Sequence, residues 1–184
     1  MSIKHPIISV TGSSGAGTST VKHTFQQIFR RESVKAVTLE GDAFHRYNRK
    51  EMKKELEKRH AAGDATFSHF SFDANLLPEL EDCFRNYSQQ GTCRYRHYIH
   101  NSNEENLYGA KPGNFTKWKK FKEPSDLLFY EGLHGAVVNE EINLARYADL
   151  KIGVVPVINL EWIQKIHRDT DSRGYSTEAV TDTI

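Results

Sequence analysis

Four continuous apolar runs punctuate the chain: Ile7-Ile8-Ser9-Val10, Val34 to Leu39, Asp126-Leu127-Leu128-Phe129-Tyr130, and Lys151 to Val157. Short runs without apolar–polar alternation fit strands buried on both faces. Helical patterns lie between them. Val21, Phe25, Ile28 and Phe29 share one helix face; Leu76, Leu77, Leu80, Phe84 and Tyr87 share another, with Asp73 as its N-cap. A polar helix is expected from Arg49 to about His60, closed by Gly63, and another from Asn159 to about Asp169. Arg94 to His100 alternates like a strand, Thr66 to Phe72 reads as a loop crossing one rim, and residues 101 to 124 read as irregular around a Pro112-Gly113 turn. Buried runs separated by helices predict an α/β fold, a mostly parallel sheet flanked by helices, in a single domain over residues 1–184.

Ligands of such a sheet gather outside the carboxyl ends of its strands. The first run ends at Gly12-Ser13-Ser14-Gly15-Ala16-Gly17-Thr18-Ser19-Thr20. Strand, glycine-rich loop and helix make a phosphate cradle: backbone N–H groups turn inward and the helix start adds partial positive charge. Gly12, Gly17 and Ser19 fit G-x-x-x-x-G-K-[ST], with Ser19 as the magnesium hydroxyl. Thr18 stands where the lysine belongs, so another cation must reach the phosphates. An ordinary tight turn is the bland alternative, and the flanking strand and helix argue against it.

Composition narrows the partners. The chain has 184 residues, 38% hydrophobic and 27% charged, with a net charge of +1. That balance gives no global pull towards nucleic acid or an anionic membrane. No apolar run approaches a membrane span of about 20 residues. Cys83 and Cys93 match no motif, and two thiols without an export pattern fit a reducing cytoplasm. Ser176 to Ile184 opens like a capped helix without an end signal, which predicts a piece of a longer protein.

Phosphoryl transfer needs a magnesium site, a positioned nucleophile and cations around the moving charge. Glu131, ending the third strand, is placed like a Walker-B acid; its alternative is a solvated strand-end glutamate. Asp42, in Glu40-Gly41-Asp42, is the candidate general base or a further metal ligand, with a turn aspartate as alternative. His45, Arg46 and Arg49 could bind an acceptor's phosphate, although a basic helix start would also account for Arg46. Arg94, Arg96, His97 and His100, interleaved with Tyr95 and Tyr98, could join the same pocket or form a charged edge strand. Lys165, Arg168 and Asp169 share a helix face, with Trp162, Ile163 and Ile166 free to pack inward. On a mobile helix hinged near Arg173-Gly174, that face would form a cationic lid, and Lys165 or Arg168 would replace the missing loop lysine. A solvated charged face is the alternative.

These segments resemble one family. GSSGAGTST with EGDAFHR between His5 and Arg49, FYEGLHGAVV from Phe129 to Val138, and VPVINLEWIQKIHRD from Val155 to Asp169 look like the bacterial phosphoribulokinases, P-loop kinases related to uridine kinase. The resemblance covers nearly the whole chain. It implies a nucleoside-monophosphate-kinase-like fold and transfer of the γ-phosphate of MgATP to O1 of ribulose 5-phosphate, feeding the Calvin cycle. It places the base at Asp42, the Walker-B acid at Glu131 and catalytic roles on Lys165, Arg168 and Asp169. ATP is implied along Gly12 to Thr20 and the acceptor at His45, Arg49 and Arg173; the residue reading adds Tyr98 and His100 to the acceptor pocket and puts Mg²⁺ at Ser19, Asp42 and Glu131. The bacterial branch also lacks the loop lysine. Ala16 departs from the plant form, which carries a regulatory cysteine in this loop. A cytoplasmic homo-oligomer, activated by NADH and inhibited by AMP, is implied as well. Family members run on past residue 184, which makes this chain roughly the N-terminal two-thirds of one. A uridine-kinase-like acceptor, or a non-catalytic nucleotide switch, are the competing readings; a switch needs neither a base at Asp42 nor a cationic lid.

Overall fold

The computed structural model describes residues 4–64, 66–121 and 123–181, without the side chains of Ser172 and Arg173. Four strands form one parallel sheet: β1 (Ile7–Gly12), β2 (Ala36–Glu40), β5 (Leu127–Gly132) and β6 (Leu150–Val154), in the order β2-β5-β1-β6. A short antiparallel pair, β3 (Arg94–Tyr95) with β4 (Lys119–Lys120), stands apart from it. The register sets Val10 and Glu40 on either side of Glu131, so three strand ends reach one rim together.

The two central strands are buried on both faces, which is why they read as unbroken apolar runs. Successive residues point to opposite faces. Phe129 joins Val10 and Phe29 on one side, under α1 (Thr18–Arg31); Leu128 and Tyr130 join Ile7, Leu39, Phe84 and Tyr87 on the other, under α3 (Leu77–Gln90). Phe25, Phe29 and Phe129 form a ring cluster with centroids 5.2–5.7 Å apart. Ile28, expected on that face, is exposed.

The polar helix is α2 (Arg49–Ala61), opened by a capping box between Asn48 and Glu51. Asp73 does not cap α3. It lies in a tight turn, Phe72–Ala74, and the helix starts behind Leu76 with Pro78 in its first turn. The expected 94–100 strand is cut to two residues. Residues 101–124 contain α4 (Ser102–Tyr108), whose cap is Asn101, accepting from the Asn103 and Glu104 amides. The last helices are α5 (Ile158–Arg173) and α6 (Thr177–Thr181); residues 182–184 of the expected terminal helix lie outside the described residues.

The two cysteines, read as thiols from the sequence, are bonded to each other. The left-handed Gly91 at the end of α3 turns the chain back and brings the two Cα atoms to 4.9 Å. No helix among the described residues is long and apolar enough to cross a membrane.

Candidate active site

The glycine-rich loop leaves β1 at Gly12 and enters α1 at Gly17, with Ala16 buried beneath it and Ser19 and Thr20 exposed on the first helical turn. Gly15 has φ +98°, and a Cβ there would stand 3.0 Å from both the Glu161 carbonyl oxygen and Lys165 Cβ. A glycine at this point lets the loop and α5 meet.

α5 meets the loop through its charged face. Lys165 is 5% exposed and Asp169 7%, while Trp162 and Ile163, expected to pack inward, are exposed. The face opposite them lies against polar backbone and hydroxyls, where charge is satisfied and apolar side chains would gain little. Arg168 Nη2 donates to Ser14 Oγ at 2.9 Å and its Nε to Asp169 Oδ1 at 2.8 Å. Lys165 Nζ lies 5.5 Å from the centre of the Phe70 ring. A cavity of about 270 Å³ opens between loop and helix, bounded by Ser13, Ser14, Phe70, Trp162 and Lys165. Arg173 closes α5, and its side chain lies outside the described residues.

At the end of β5, Thr18 Oγ1 donates to Glu131 Oε1 at 2.5 Å. Lys22 Nζ sits 2.7 Å from Glu40 Oε1 and 3.6 Å from Glu131 Oε2. Burial opposes the lysine's charge, but the two carboxylates outweigh it and hold its pKa above the ordinary value. Thr18 thus binds the strand-end acid, and a lysine one helical turn further on is that acid's cation. The Lys22–Glu131 pair spans 109 positions of sequence, so sequence spacing could not reveal it. The donors here and at Asp42 are hard oxygens, a hydroxyl and carboxylates, which suits magnesium.

The base candidate stands on the turn Gly41–Phe44, directly after β2. Gly41 brings this turn against the end of β5: a Cβ there would approach Gly132 Cα to 3.0 Å. Two imidazoles flank the Asp42 carboxylate, His45 Nε2 3.3 Å from Oδ1 and His100 Nε2 3.3 Å from Oδ2. His45 Nδ1 in turn lies 2.8 Å from Asn75 Oδ1.

Asn75 fixes the polarity of that contact. It is 3% exposed, and its Nδ2 donates to the carbonyls of His69 at 3.0 Å and Ser71 at 2.8 Å. Its oxygen therefore faces His45, and Nδ1 must be the donor. Nε2 then attracts Asp42 only when it too carries a proton, so the contact favours the charged ring over the neutral one. Burial works against that charge; the Asp42 hydrogen bond and carboxylate more than offset it, and the His45 pKa lies above its ordinary value. Asn75 went unread in the sequence, since a lone asparagine carries no motif.

Tyr98 completes the cluster, its ring centroid 4.9 Å from that of His100 and 6.0 Å from that of His45. Burial raises its hydroxyl pKa, and the Arg49 guanidinium beside it works the other way. Arg49 Nη2 donates to the His100 carbonyl at 3.3 Å. Of the other members of the 94–100 cluster, Arg96 donates to the Ala43 and His45 carbonyls, while Arg94 and His97 turn elsewhere. Arg94 faces Trp118, and His97 stacks on Tyr108 at 4.0 Å, its pKa lowered by burial. Arg46 donates to the Asp73 carbonyl.

A model of the family described as "Phosphoribulokinase / Uridine kinase family" matches residues 7–184. The chain is similar to phosphoribulokinase 1 of Cereibacter sphaeroides, 71% identical over 184 residues, which are all of this chain and 63% of that one. It is 64% identical to the phosphoribulokinase of Nitrobacter vulgaris over 181 residues, 98% of this chain and 62% of that one. The solved structure of phosphoribulokinase from Rhodobacter spheroides matches it with a TM-score of 0.83 at 68% identity, covering 98% of this chain and 61% of the other. The chain thus spans just under two thirds of the length of these relatives.

Proposed function

Because the chain belongs to the phosphoribulokinase / uridine kinase family, we propose that it carries the catalytic machinery that phosphorylates O1 of ribulose 5-phosphate with ATP, releasing ribulose 1,5-bisphosphate and ADP. One observation carries this reading: Asp42 is flanked by His45 and His100 and neighboured by Tyr98 and Arg49, at the same sheet rim as the phosphate loop. A carboxylate among imidazoles, a guanidinium and a phenol suits a phosphorylated polyol better than an uncharged nucleoside. The identity to relatives named phosphoribulokinase supports the same choice.

In this reading ATP lies along Gly12 to Thr20. Asp42 takes the proton from the O1 hydroxyl, and that oxygen attacks the γ-phosphorus in line with the departing ADP oxygen. Arg168, bound to the loop at Ser14, and Lys165 neutralise charge on the moving phosphoryl group, in place of the loop lysine; Asp169 orients Arg168. Ser19 and Glu131, with Asp42, would hold Mg²⁺, which would supply neutralisation of phosphate charge. His45, Arg49, Tyr98, His100 and Arg173 receive the sugar phosphate. Single-domain organisation and a cytoplasmic site of action, where ATP and sugar phosphates are both at hand, belong to the same proposal. So do assembly into a homo-oligomer, NADH activation and AMP inhibition.

The test is ADP release from MgATP with ribulose 5-phosphate or with uridine as acceptor. Turnover on the sugar phosphate, abolished by Asp42→Asn, is the expected result. Turnover on uridine would overturn the acceptor assignment, and nucleotide binding without turnover on either would favour the switch.

A further inference from the structure

Arg96 is half-buried, yet among the described residues no carboxylate pairs with it. Its Nε donates to the Ala43 carbonyl at 2.8 Å and its Nη2 to the His45 carbonyl at 2.6 Å. The guanidinium lies 3.6 Å from the centre of the Phe115 ring and 4.6 Å from that of Trp118. Burial pulls its pKa down to about 10. A charge placed there is unfavourable unless its hydrogen bonds matter to the fold around it.

Both acceptor carbonyls belong to the turn that carries Asp42 and leads into His45. That turn is already tied on another side, where Arg46 N donates to the Ala74 carbonyl and Leu76 N to the Phe44 carbonyl. Arg96 adds a rigid planar fork whose two N–H groups fix the spacing of two carbonyls two residues apart. A lysine offers one mobile point of attachment, and a methionine none.

Resting on the kinase reading above, we propose that Arg96 is a positioning residue for the acceptor half: its fork holds the Ala43 and His45 carbonyls, and so sets where the Asp42 carboxylate meets the sugar hydroxyl. It touches neither substrate and acts through Asp42. Misplacing a reacting group by about 1 Å costs on the order of 100-fold in rate, which is the scale expected when the fork is removed.

The experiment uses the chain as its gene encodes it, with Arg96→Met and Arg96→Lys made in the parent and in Asp42→Asn. Amide hydrogen exchange of residues 41–46 is read by mass spectrometry, alongside kcat and the KM of each substrate. Arg96→Met should speed exchange in 41–46 while β5 and α3 stay protected. It should lower kcat about 10- to 100-fold with KM for MgATP within about twofold, and Arg96→Lys should restore only a minor part. In Asp42→Asn neither substitution should cost a further loss, because both act on one base. Unchanged exchange at 41–46, or an equal loss of rate in both backgrounds, overturns the proposal. Should Arg96→Met unfold the chain, Arg96→Lys keeps the stem in place and is judged by the same criteria. A parent chain without turnover on ribulose 5-phosphate overturns the kinase reading, and exchange at 41–46 still decides whether Arg96 holds the turn.

Discussion

Asn75 and His45 face each other across an isolated antiparallel bridge, the amide oxygen of one 2.8 Å from Nδ1 of the other. Because both amide protons of Asn75 are engaged on backbone carbonyls, this contact orders the proton on His45 and, through it, the charge beside Asp42. An Asn75→Leu variant should lose that order. Its KM for ribulose 5-phosphate should rise about tenfold, the scale of one charge-assisted hydrogen bond, with KM for MgATP unchanged. Steady-state kinetics with each substrate varied in turn makes the check.

The His45 charge also gives a pH dependence with a definite sign. Unfolded, His45 titrates near its ordinary value of about 6.5; folded, its pKa is higher. Its stabilisation is therefore complete below the unfolded value and is lost as pH rises through the folded one. Thermal unfolding of the parent and His45→Gln, compared from pH 5.5 to 8.5, should show a gap that narrows with rising pH. A constant gap would contradict the imidazolium assignment.

Asp42→Asn keeps the size of the side chain and removes its basicity. We expect kcat to fall by about 10²- to 10⁴-fold, with the affinity for MgATP nearly unchanged, measured by ADP release and by equilibrium nucleotide binding.

Lys165→Met and Arg168→Met test each of the two candidates for the missing loop cation. Each should reduce kcat by about 10²- to 10³-fold while weakening ATP binding much less. Arg168→Met also breaks the bond to Ser14. Unaltered catalysis in either variant would remove that residue from the role.

Phe129→Ala tests the core rather than the chemistry. The ring is fully buried between Phe25 and Phe29, and its loss should destabilise the chain by about 3–5 kcal/mol, read from chemical denaturation.

The sheet was legible because its information is local. The two central strands, buried on both faces, print as unbroken apolar runs, as does the more exposed edge strand β6, and the phosphate loop is nine consecutive residues running from the end of a strand into a helix. The acidic residues at 42 and 131 could be placed because a parallel sheet delivers its strand ends to one rim. What stayed hidden depends on partners far along the chain. Asn75 acquires its role from His45, thirty positions away, and Lys22 from Glu131. The charged face of α5 lies against the loop, as its i, i+3, i+4 spacing suggests, whereas Trp162 and Ile163 do not pack inward as hydrophobicity predicts, because the loop opposite selects charge. α4 is short and polar, so its only local sign was the Asn101 cap. The Cys83–Cys93 bond follows from a glycine turn that spacing alone does not reveal.

The two tryptophans are divided between the two halves of the site. Trp118 lies against Arg96 and Phe44 on the acceptor side, and Trp162 borders the cavity beside Ser13 and Ser14. Replacing either with phenylalanine leaves a single tryptophan in this sequence, in one half of the site. Two such variants, mixed rapidly with nucleotide or sugar phosphate, would time the filling of each half separately, and intrinsic fluorescence would report the order of binding without any added label.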